Sequence, residues 1–148
     1  MRNVFFTGAV GIVLMLSTGA QAAERGTPDE AKALAEKAIA HIKTVGAAKA
    51  FDEFSTPGGP FHDRDLYVFC YDSNRKMVAH GLNRALVGKD LAGKDADGND
   101  IAAQMIKIGE EGGWVEYKWS NPQTKKIEAK ATYIKKVGSD SCGVGVYK

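Results

Sequence analysis

Cysteine is scarce in this chain: only Cys70 and Cys142 occur, in neither a C-x-x-C nor a C-x-x-C-H pattern. Thioredoxin-like redox chemistry and covalent haem attachment therefore have no sequence support. An excess of one charge is also missing, with 20 Lys+Arg against 18 Asp+Glu. No basic stripe points to nucleic acid, and no like-charge block points to a disordered tail. After residue 16 there is no second long apolar run, so nothing further along resembles a membrane span. No Ser-His-Asp grouping, phosphate-binding glycine loop or paired-carboxylate arrangement has a recognisable context. The chain nominates no nucleophile, and it implies neither an enzyme nor a cofactor.

The first residues read as an export signal. Arg2 supplies a positive start, Val4 to Leu16 is apolar, and Ala20-Gln21-Ala22 forms an A-x-A cleavage pattern. Residues 1–22 are expected to be a signal peptide and 23–148 a single domain, long enough to hold a core. The product is then expected in the periplasm or outside the cell, where two thiols usually form one bridge if geometry permits.

Thr27-Pro28-Asp29-Glu30 predicts a helix start: Thr27 as N-cap, Pro28 in the first turn, Glu30 closing a capping box. Ala31, Leu34, Ala35, Ala38, Ile39, Ile42 and Val45 then recur at the helical period on one side. The helix breaks near Gly46 and continues over Ala47–Phe54, with His41 half-exposed at the edge of the stripe. "STPGGPF" (55–61) is a loop. "LYVFCY" (66–71) and "KMVAH" (76–80) predict a hairpin. A long polar connection follows, with helical turns near Ala85 and Leu91. "DADGND" (95–100) lacks the glycine and glutamate positions of a calcium loop; Asp97 or Asn99 is expected to cap a helix presenting Ile101, Met105 and Ile108. Strands at 113–119 and 127–137 and a last strand in "SCGVGVYK" complete an α+β chain with an antiparallel sheet. His62, Asp63 and Asp65 lie close in sequence but lack a second ligand cluster for a metal.

Alternation along strands places Val115, Tyr117 and Trp119 on one face, with Trp114, Glu116 and Lys118 on the other. Lys130, Thr132 and Ile134 share a face, as do Tyr67, Phe69 and Tyr71. A lysine on a covered face must find a partner for its charge. Lys130 as cation, Tyr67 and Tyr117 as hydroxyl donors, Trp119 as apolar wall and His80 at the rim suit a small organic anion. Arg64, just before the first long strand, is a further candidate. The plainer alternative is that Lys130 snorkels to water and the tyrosines are core residues with wet tips.

"DRDLYVFCYDSNRKMVAHGLNRALVGKDL", "GGWVEYKWSNPQTKKIEAKATYIKKV" and "CGVGVYK" together resemble a single Cache domain of the bacterial extracytoplasmic sensor type. The resemblance covers nearly all of the chain after residue 22. It implies a PAS-like fold: five antiparallel strands in order 2-1-5-4-3, a long N-terminal helix on one face and a ligand pocket on the other. It further implies binding of a small molecule, often a short-chain carboxylate, and points to Lys130 and the aromatic residues as the site. Cys70 and Cys142 would lie on neighbouring strands, which allows a cross-strand disulfide; two buried thiols are the alternative. No transmembrane helix, methyl-accepting segment or kinase follows Lys148, so a stand-alone binding protein is expected. A module docking on a membrane-bound sensor or chemoreceptor is the second expectation.

Overall fold

The computed structural model describes residues 24–90 and 94–148. The expected signal peptide and the helical turn at Leu91 fall outside them. Helix α1 (Pro28–Val45) begins where the capping box predicts: Thr27 Oγ1 accepts the Glu30 N–H (3.3 Å), and the Glu30 carboxylate accepts the Thr27 N–H (2.8 Å). Both bonds satisfy amides that a helix start leaves without intrahelical partners. Its inner face is Ala31, Ala35, Ala38, Ile39 and Ile42; three alanines let the helix lie close to the sheet beneath. Gly46, at φ +87°, turns the chain into α2 (Ala47–Phe54), a left-handed conformation that costs glycine little.

Six strands follow: β1 (His62–Asp63), β2 (Leu66–Tyr71), β3 (Met77–His80), β4 (Gly113–Ser120), β5 (Ile127–Val137) and β6 (Asp140–Tyr147). A 3-10 turn (Arg84–Leu86) and a short α3 (Ile101–Met105) interrupt the long connection. Every pairing is antiparallel, and the main strands run β3-β2-β6-β5-β4. This is the expected strand order with one addition, since β1 folds back on the start of β2. The helix-side core joins α1 and α2 to Leu66, Val68, Cys70, Cys142, Val144 and Val146. The opposite face carries a second core around Tyr67, Phe69, Tyr71, Ile101, Met105 and Ile134. Alternate residues of one strand thus serve two different interiors.

Cys70 and Cys142 are directly facing partners on β2 and β6, with Cα atoms 4.1 Å apart, and their sulfurs are bonded. One expectation needs correcting. The cap of α3 is Asp100, whose carboxylate accepts the Ala103 N–H at 2.9 Å, and neither Asp97 nor Asn99 fills that role. Asp95 organises the turn instead, accepting the N–H groups of Asp97 and Asn99. A side chain two to four residues before its donors closes such a turn locally, which leaves the residue next to the helix free to cap it. The helix also ends at Met105, short of Ile108.

Candidate functional site

Strand β6 carries glycine at 143 and 145 on the face away from α1. A Cβ at Gly145 would collide with Lys130 Cε and Thr132 Oγ1, and one at Gly143 would strike the Tyr133 carbonyl and crowd the Thr132 methyl. The missing side chains leave a trough over the strand, and Lys130 lies in it. From β5 it reaches across β6 to β2, where its Nζ donates to Tyr67 Oη at 2.9 Å. The nitrogen also sits 4.5 Å from the Tyr67 ring centre and 4.7 Å from that of Tyr147, a favourable position for a cation over aromatic faces.

Lys130 is 1% exposed, so it does not snorkel to solvent. No ion pair engages it among the described residues. Burial pulls its amine below the ordinary lysine value, opposed in part by Tyr147 and Asp65. Tyr67 is held neutral, its phenol pushed up to about 12 chiefly by burial. His80 is 7% exposed, and its Nδ1 accepts the Asn83 N–H (3.0 Å) and the Leu82 N–H (3.3 Å). That fixes the proton of the neutral ring on Nε2, which has no protein partner among the described residues.

Lys130, Tyr67, His80, Tyr117 and Trp119 line one hollow. Tyr117 shares a hydrogen bond with Thr132 Oγ1 (2.8 Å), and Trp119 meets it edge-on. Phe69, Tyr71, Met77, Ile101 and Met105 complete the wall; the sequence reading did not single them out as lining. The accessible volume is about 20 Å³, room for about one water molecule. The alternation Gly143-x-Gly145 inside a strand was the available signal, because an interior strand glycine marks a close approach by another group.

Arg64 is not brought to the hollow. It takes a left-handed conformation (φ +56°) in the β1–β2 turn, and its guanidinium pairs with Glu30 and Asp63, each at 2.8 Å. The turn points it at the start of α1, where carboxylates already neutralise it. His62 serves its own loop, accepting the Gly58 N–H at 2.9 Å.

Burial, followed by the nearby Lys130 charge, lowers the His80 pKa from 6.5 to about 4. Unfolded protein then binds more protons than folded protein between those values, so stability is lost as pH falls from 6.5 towards 4. The full loss is about 3 kcal/mol. The difference between wild type and His80→Asn, whose side-chain oxygen can still accept the two amides, isolates this contribution. The expected result in urea melts is a variant with visibly less loss of stability across that window. Parallel curves would remove His80 as the titrating group.

An antiparallel sheet with a long helix on one face and a lined hollow on the other is a domain of PAS-like build. The family model described as Single Cache domain 2 matches residues 7–146, and the chain belongs to that family of ligand-binding sensor domains. Over 91 residues, 58% of the chain, it is 32% identical to the methyl-accepting chemotaxis protein McpP of Pseudomonas putida. Over 92 residues it is 30% identical to the sensor histidine kinase MctS of Rhizobium johnstonii. Those stretches are 17% and 20% of the two proteins, so the match spans about a fifth of their length. A methyl-accepting chemotaxis protein from Vibrio parahaemolyticus superposes with a TM-score of 0.68 at 23% identity, over 80% of this chain and 86% of that one. A Cache chemosensory domain solved for carboxylic acid recognition gives 0.62 at 21%, over 80% and 91%. At such identities the two structures establish the shared fold.

Proposed function

We propose that this chain is an exported, non-catalytic sensor module that binds a short-chain carboxylate in the hollow. The observation that carries the reading is Lys130: a buried amine with a phenol and aromatic faces around it, and no ion pair among the described residues. A buried charge without a counter-ion is costly, and a small anion would supply the missing partner. The Nε2–H of His80 and the hydroxyl of Tyr67 stand on the same wall as further donors. Phe69, Met77, Ile101 and Met105 leave the rest of the wall apolar, and these side chains would have to move apart to admit a short hydrocarbon tail, since the hollow has room for about one water molecule. Carboxylic acid recognition by a domain of this fold supports the same class of ligand. Export rests on the leader pattern of residues 1–22. No helix of the described residues is long and apolar enough to cross a membrane.

A thermal-shift series with formate, acetate, propionate and butyrate tests the proposal, with acetamide and propionamide as uncharged counterparts. At least one acid is expected to raise the melting temperature in a saturable way, while its amide does not. At a hundred times Kd the stabilisation is about 2.7 kcal/mol. Flat responses to all four acids up to 100-fold above a micromolar-range affinity would overturn it.

A further inference from the structure

Strand β4 ends the sheet, and among the described residues no strand pairs with its outer edge. The opposite end is closed by its own chain: the Met77 N–H donates to the Lys89 carbonyl at 3.0 Å, and the Met77 carbonyl accepts the Gly88 N–H at 2.7 Å. On β4 the Lys118 N–H points outward, where Asp95 Oδ2 accepts it at a long 3.5 Å. Successive residues of a strand present their N–H and C=O groups to opposite sides, so Trp114 and Glu116 also turn theirs outward. Neither of those two amides has a protein partner among the described residues. An open edge of this kind is a template for another strand.

Parity and charge together select one arrangement. Two antiparallel copies of β4 bond only where outward residues face outward residues, so a two-fold axis perpendicular to the sheet must pass at a residue and not between two. Centred on Tyr117, the axis sets Glu116 opposite Lys118 of a second copy, and Lys118 opposite its Glu116. Centred on Glu116 or Lys118, it sets identical charges against each other. Both side chains are exposed and share a face with Trp114, itself 42% exposed. Lys148 Nζ also reaches Glu116, an exposed pair that contributes little. On the other face the Tyr117 centre brings Val115 opposite Trp119 and Tyr117 opposite itself, pairs of the kind that stabilise neighbouring strands.

The turn at 95–99 stands in the way of this pairing. Asp95 holds it in shape, with Oδ1 accepting the Asp97 N–H at 3.0 Å and the Asn99 N–H at 2.8 Å. Asp95 Oδ2 meets the Lys118 amide, and Asp97 pairs with Lys118 Nζ at 3.0 Å. We infer that β4 is a guarded docking edge for a second copy of this chain: the 95–99 turn caps it at Lys118, and a strand released from that cap pairs antiparallel with its twin about Tyr117, joining two sheets into one.

Asp95→Asn lifts the guard and keeps the turn, because its oxygen still accepts the two turn amides while the new NH2 group only donates towards the Lys118 N–H. In sedimentation equilibrium across micromolar to millimolar concentrations, wild type is expected to dimerise only towards the upper end. The variant is expected to show a dimer dissociation constant at least about tenfold lower. Within Asp95→Asn, Lys118→Glu opposes carboxylates across the axis and is expected to weaken the dimer about tenfold, although it also repels Asp97 and loosens the turn. Adding Glu116→Lys restores opposite charges, and the dimer is expected to return. A merely sticky edge would associate more strongly with Lys118→Glu, and that result would overturn the pairing. An Asp95→Asn protein as monomeric as wild type, or equal association in all three variants, would overturn it too. Far-UV circular dichroism checks that each variant is folded. Should Asp95→Asn not fold, wild type at millimolar concentration carries the same test: its dimer is expected to vanish on Lys118→Glu and return with Glu116→Lys, and absence of any dimer would overturn the proposal.

Discussion

Lys130→Met is expected to lower affinity for a responding carboxylate tenfold or more while leaving the protein as stable as wild type or more so. The two effects share one cause. In the ligand-free protein the Lys130 amine is enclosed by Tyr67, Phe69 and Tyr147 with no ion pair among the described residues, and its desolvation weighs against folding. Methionine fills a similar trough over Gly145 without a charge. Replacing buried charges by apolar groups of like volume is often neutral or stabilising by 1–4 kcal/mol. Against this stands about 1 kcal/mol for the bond lost at Tyr67 Oη. With ligand present the sign reverses, because a charge-assisted bond to the carboxylate is worth about 1.5–3 kcal/mol, or roughly tenfold to a hundredfold in Kd. Calorimetric titration and urea melts on both proteins separate the two quantities. A variant that keeps its ligand affinity would take Lys130 out of the site, and one that loses stability sharply would make the amine structural.

The second large effect concerns the disulfide. Cys70→Ala with Cys142→Ala is expected to destabilise the domain by about 4 kcal/mol, the chain-entropy value for a loop closed across 72 positions. Both sulfurs are fully buried beneath α1, so the native bridge should resist mild reductant and yield once the protein is unfolded. The bridge fastens β2, which carries Tyr67, to β6, whose glycines accommodate Lys130. Loss of ligand response should therefore follow loss of folding and not precede it. Urea midpoints for the double variant and wild type measure the effect; coincident midpoints would show that the sheet alone fixes the two strands.

Helix α1 was legible almost to the residue, because its limits are written in local chemistry: a Thr-x-x-Glu box at one end and Gly46 at the other. The strands of the C-terminal half were equally readable: β4 alternates between a covered and an exposed face, and the middle of β5 and β6 is buried on both. The two-residue β1 was not. His62–Asp63 has no apolar period and owes its pairing to the turn at Arg64 and Asp65. Arg64 illustrates the limit for the site. Sequence proximity to β2 suggested a place beside the ligand, but the direction of a side chain in a turn depends on backbone angles that no periodicity reveals. Lys130 was readable as a problem, a cation on a covered face. Its solution was not, because the path across β6 depends on which glycine of a neighbouring strand lies beside it, and that is a matter of register.

The two ends of the described chain meet. The Arg25 guanidinium donates to the carbonyl of Lys148 at 3.1 Å and pairs with Glu128 on β5 at 3.2 Å. A polypeptide that enters and leaves at one spot can be spliced into a longer one without crossing its own body, since both connections emerge side by side. The same geometry makes this fold a natural cassette, and a peptide bridge between the neighbouring ends, with a new break in an exposed turn such as 122–126, should yield a circularly rearranged version of the domain.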